Sequence, residues 1–92
     1  MKPVQLFCWH FMAYPYLAKD FDEKEYSGWV TVPNRLWDNT KARGLYQEYI
    51  DQLVYADELG FDGMVFHEHH HDIYSLMPSP NIIAAALTQN TS

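Results

Sequence analysis

Two short runs of β-forming, mostly apolar residues, VQLFCW at 4–9 and MVFH at 64–67, stand on either side of one long helical pattern. A short run that is apolar at successive positions suits a strand buried on both faces, the habit of parallel sheets. Between the runs, Asn39 or Thr40 is placed to cap a helix reaching about Leu59. Tyr46, Tyr49, Ile50, Leu53 and Ala56 recur there at helical spacing, and Gln47, Glu48, Asp51, Gln52 and Glu58 take the other side. Gly60 supplies a left-handed stop, and Phe61 is positioned to fold back on the last turn. Asp62-Gly63 turns the chain into the second run. Ser79-Pro80 then reads as the N-cap and first residue of another helix, NIIAAALTQ, extending to about Asn90. The order strand, helix, strand, helix requires a parallel sheet with crossover helices.

Two parallel strands are not a stable sheet, because each needs neighbours on its edges and cover on both faces. The expectation for residues 1–92 is therefore the amino-terminal part of one larger α/β barrel domain, with little capacity to fold alone.

The charge pattern narrows the partners. Net charge is −6, and all six basic residues lie in the first 43 positions. Neither a basic nucleic-acid stripe nor a polybasic membrane patch is present in the sequence. No apolar stretch approaches the ~20 residues of a membrane span. The opening MKPVQLFCWHF has a single Lys and no small-residue cleavage site, so it reads as a strand and not as a signal peptide. The lone Cys8 cannot form an internal disulfide; a buried, inert thiol in a reducing, cytoplasmic setting is the expectation.

Residues 10–40 form a long connection holding Pro15, Gly28, Pro33, the charged patch KDFDEKE and the aromatics Phe11, Tyr14, Tyr16, Phe21, Tyr26, Trp29 and Trp37. Linkers rarely carry so many Trp and Tyr residues, whereas pocket walls and lids do.

The chemistry concentrates in His67-Glu68-His69-His70-His71-Asp72, directly after the second strand. Strand carboxyl ends are where α/β proteins place their sites. In an extended segment, His67, His69 and His71 share one side, and Glu68 and His70 the other. Three readings stand. His67, His69 and possibly His71 are suitable zinc or iron ligands for a barrel hydrolase. Alternatively, the imidazoles hydrogen-bond within a loop, with His71 and Asp72 as a surface pair; this is the favoured reading for His10 and for each histidine other than His69. In the third, one imidazole works as an acid/base beside an organic cofactor.

The combination Ala56-Asp57-Glu58-Leu59-Gly60-Phe61-Asp62, then Glu68-His69-His70, then Ser79-Pro80 and Ala84-Ala85-Ala86 resembles the signature of the bacterial luciferase-like, flavin-dependent monooxygenases. The resemblance covers about residues 45–86, and more loosely the first strand; the long first loop departs from it. It implies a (β/α)8 TIM barrel that binds reduced FMN at the strand carboxyl ends, with FMN favoured over deazaflavin. It further implies a separate flavin reductase, a C4a-hydroperoxide that oxygenates a small, largely apolar substrate, and a dimer of the whole protein. By the same resemblance His69 is the catalytic histidine, Glu68, His69 and Phe7 contact the cofactor, and Trp9, His10 and His70 line the substrate pocket. A non-catalytic barrel subunit is the remaining alternative.

Overall fold

The computed structural model describes residues 3–25, 27, 32–73 and 75–92. Tyr26, Gly28 and Trp29 of the long connection lie outside the described residues. Strands β1 (Phe7–Trp9) and β2 (Gly63–Val65) pair in parallel, with Phe7 opposite Gly63, Cys8 opposite Met64 and Trp9 opposite Val65. Both are shorter than the apolar runs. Just before the ladder, the Asp62 carboxylate takes the Leu6 N–H at 2.7 Å, while the Asp62 N–H donates to the Leu6 carbonyl at 2.8 Å. Beyond Trp9, Met12 takes a left-handed conformation (φ 53°) and carries the chain away from the sheet. Gly63 answers to close approach: a Cβ there would come within 2.8 Å of the Phe7 ring.

Helix α2 (Asn39–Glu58) is capped by Asp38, one residue earlier than the sequence suggests. The Asp38 carboxylate accepts from the N–H groups of Thr40 at 2.9 Å and Lys41 at 3.1 Å. Asn39 is not the cap, and its side-chain oxygen accepts from the Trp37 indole at 2.6 Å. Ala42, Leu45, Leu53 and Ala56 form the buried stripe of the helix, with Tyr46, Tyr49 and Ile50 half-buried beside it. At its end Gly60 is left-handed (φ 88°), and the Phe61 N–H returns to the Ala56 carbonyl at 3.3 Å. Helix α3 (Pro80–Leu87) stops short of Asn90 and buries Ile83 and Leu87. Ser79 occupies its N-cap position without a side-chain cap bond.

The long connection contains one turn of helix, α1 (Phe21–Lys24), and a 3-10 turn at Asn34–Leu36. Much of it belongs to the core, for Met12, Tyr14 and Phe21 are buried with Leu45, Leu53 and Met77. Its backbone is tied to the loop after β2, since Tyr14 N–H donates to the Ile73 carbonyl at 2.9 Å and Leu76 N–H to that of Met12 at 2.7 Å. The Tyr49 hydroxyl adds a bond from α2 to the Ala13 carbonyl at 2.5 Å. The two loops that leave the strand ends are thereby held side by side.

The core gathers on one face of the sheet, where Cys8, Met64 and Phe66 pack against it. On the alternate positions Phe7, Trp9 and Val65 remain 54, 59 and 43% exposed. Cover on both faces, expected from the apolar runs, is absent among the described residues, because both long helices contribute to a single core. None of the described helices is long and apolar enough to cross a membrane.

Candidate functional site

The loop from Phe66 to Met77 leaves β2 at its carboxyl end and runs beside the segment leaving β1. Alternation holds for its first residues. The His67 and His69 rings meet edge to face with centroids 5.1 Å apart, while Glu68 and His70 pair with each other at 2.7 Å on the exposed side. His71 then adopts φ 61°, which breaks the alternation. The sequence placed His71 with His67 and His69 and paired it with Asp72; instead Asp72 pairs with His69. The reason is the reversal at His71, which brings position 72 back toward position 69.

The polar side chains of this corner are joined by hydrogen bonds. The Trp9 indole N–H donates to His67 Nδ1 at 3.1 Å. An indole nitrogen can only donate, so the proton of neutral His67 sits on Nε2, 2.6 Å from the Ser75 hydroxyl, which accepts it. The buried Ser75 gives its backbone N–H to Asp72 Oδ1 at 2.9 Å. The Asp72 side chain is 2% exposed, and its other oxygen lies 3.0 Å from His69 Nδ1. The His69 backbone is fixed as well, its N–H donating to the Met77 carbonyl at 3.2 Å. One polar chain thus runs from β1 through His67, Ser75 and Asp72 to His69.

Partial burial lowers the pKa of His67 from the ordinary imidazole value, and His69 beside it acts in the same direction. The Asp72 carboxylate and the Phe11 carbonyl oppose this. The neutral ring that the hydrogen bonds require is therefore also the one its surroundings favour.

The expected site residues divide into groups. Trp9, His67 and His69 come together. Phe11, not singled out as a site residue by the sequence, stacks on Trp9 with centroids 4.9 Å apart and lies 5.2 Å from the His67 ring. Phe7 shares the uncovered face with Trp9, two positions away on β1. His10 is turned from this corner: its Nδ1 accepts from the Met12 N–H at 2.9 Å, and its Nε2 bonds Gln52 on α2 at 2.6 Å. Nε2 of His10 thus ties the loop to α2, while Nδ1 braces the loop's own turn at Met12. Glu68 and His70 form an exposed pair, of the kind that contributes little to stability. Among the described residues no three His, Cys, Asp or Glu side chains are arranged to hold a metal ion, so the set His67, His69 and His71 is not gathered.

Ser75 is the residue of this corner that sequence reasoning missed, and Asp72, part of the cluster there, was assigned to His71 and not to His69. An Asp three residues before a Ser is a local signal, since a short carboxylate readily accepts the N–H at that spacing. A cleft of about 190 Å³ lies beside the His69–Asp72 pair, bordered by Trp37, Tyr46, His69, Asp72 and Ser75.

No protein-family model, curated protein or solved structure matches this chain.

Proposed function

We propose that this chain carries part of the active site of a luciferase-like, flavin-dependent monooxygenase, which uses reduced FMN and O₂ to oxygenate a small, largely apolar organic molecule. The observation that supports it best is one juxtaposition. At the carboxyl end of two parallel strands, the His67 imidazole stands against an exposed aromatic surface made by Trp9 and Phe11, with the His69 ring edge-on to His67. In this reading the strand-helix-strand-helix order opens a (β/α)8 barrel, and the uncovered sheet face looks into its interior.

The residues present suit the ring system of a flavin, a flat body with an apolar face and polar edges. Phe7 and Trp9 would hold the face, and His69 the polar edge. When bound, reduced FMN supplies the electrons that activate oxygen. The chain's own contribution is threefold. The Trp9–Phe11 stack would give the bound ring an apolar wall on one side of the site. The Trp9–His67–Ser75 bonds fix that stack relative to the loop. His69 takes up or returns a proton at Nε2. The reading includes a separate flavin reductase and an apolar substrate, in keeping with the aromatic wall.

The test is an anaerobic titration of the native protein with reduced FMN, followed by admission of O₂. Binding, then a transient flavin absorption distinct from oxidised FMN, is the expected result. His69→Ala should alter the decay of that transient by about 10²-fold, the lower end of general acid–base effects. Absence of binding to reduced FMN would overturn the proposal.

A further inference from the structure

We infer that Asp72 is the positioning residue of this site: it fixes the tautomer and orientation of His69, and so makes Nε2 the basic nitrogen. The inference deepens the oxygenase reading and, for its kinetic consequence, rests on it. Its structural content stands on the side chains alone.

The argument starts from what a buried carboxylate requires. A carboxylate removed from water must have its oxygens satisfied by donors. The Asp72 side chain is almost wholly buried, and the Ser75 N–H serves Oδ1 at 2.9 Å. Oδ2 faces His69 Nδ1 at 3.0 Å. An ionised carboxylate only accepts, so the His69 proton must sit on Nδ1, and in the neutral ring the lone pair falls on Nε2. The contact is not a flexible surface pair. The His69 backbone is bonded to that of Met77, which is fully buried, and Ser75 is held by His67. The other titratable groups around His69 include His67, 5.1 Å away between ring centroids, and His71 and Tyr46 across the adjoining cleft. His67 has its ring proton directed to Ser75 and its acceptor nitrogen occupied by Trp9, so it is poorly placed to compete for the role of base. The same carboxylate–imidazole logic sets the base in hydrolytic triads, where the carboxylate orients the ring and does not itself take the proton.

The experiment is nitrogen-15 NMR of the histidine rings in the native protein, without flavin, beside Asp72→Asn and His69→Ala. The native spectrum should show His69 protonated at Nδ1 in its neutral form. In Asp72→Asn, whose amide can also donate, the proton should move wholly or partly to Nε2. The decay rate of the oxygenated flavin should then change by about 10²-fold in the wild-type background but by less than about twofold when His69 is already Ala, since the two residues act as one unit. A merely structural role would cost similar amounts in both backgrounds and would leave the tautomer unmoved. Native His69 protonated at Nε2 overturns the inference, and needs no variant, so it decides even if Asp72→Asn does not fold. Failure of FMN to bind overturns the oxygenase reading instead, and leaves the tautomer result to stand or fall by itself.

Discussion

The two faces of the small sheet are built from the same kinds of residue yet have different fates. Cys8, Met64 and Phe66 meet the helices and the buried part of the long loop; Phe7, Trp9 and Val65, alternating with them, stay exposed. Burial removes apolar surface from water and stabilises a fold by about 25 cal/mol per Å², so the first face holds this chain together. The second contributes little to its stability and leaves apolar area open to solvent. The histidine loop follows the same division. His10 closes on α2 and serves the fold, whereas His67 and His69 stand at the rim of the uncovered face.

That contrast is open to direct attack. The largest effect on stability belongs to the covered side: Leu53→Ala, at a fully buried position, should cost roughly 2–5 kcal/mol in chemical denaturation. A loss under about 1 kcal/mol would mean that the core is looser than the packing around Leu53 indicates.

A smaller effect attaches to the rim. Because the folded-state pKa of His67 lies below that of the unfolded chain, the unfolded state binds more protons in the intervening pH window. Stability should accordingly be complete above about pH 6.5 and decline as the pH falls through the folded pKa. Denaturation midpoints across this range should show a shallower slope for His67→Gln than for the native protein. Identical slopes would remove His67 as the source.

The smallest effect belongs to the uncovered face. Val65→Thr should change stability by no more than about 0.5 kcal/mol. A cost approaching that of Leu53→Ala would show that this face is covered in solution, which would sharpen the comparison into evidence for a barrel interior or a bound partner.

Much of the scaffold was legible from periodicity. The stripe along α2, the Gly60 stop and the Ser79-Pro80 start of α3 are local features, governed by neighbours three or four residues apart, and each appears close to where the sequence puts it. The cap of α2 was misplaced by one residue because Asp38, Asn39 and Thr40 are all competent caps, and the choice depends on which oxygen reaches the Thr40 and Lys41 N–H groups. The long loop was less legible. Its aromatics marked it as more than a linker, but that Tyr14 would be buried and stacked on Trp37, with ring centroids 4.9 Å apart, depends on contacts remote in sequence.

The sequence by itself determined the alternation of strand and helix and the gathering of imidazoles at the end of β2, since both follow from short-range spacing. Only the tertiary structure decided which imidazoles share a corner. The left-handed turn at His71 sends Asp72 to His69, the Trp9 indole from the other strand selects the tautomer of His67, and Gln52 on α2 takes His10 away. Side-chain chemistry is written in the residue, but the partner that fixes a proton on one nitrogen or the other is brought by the fold, here across as many as 58 residues of chain.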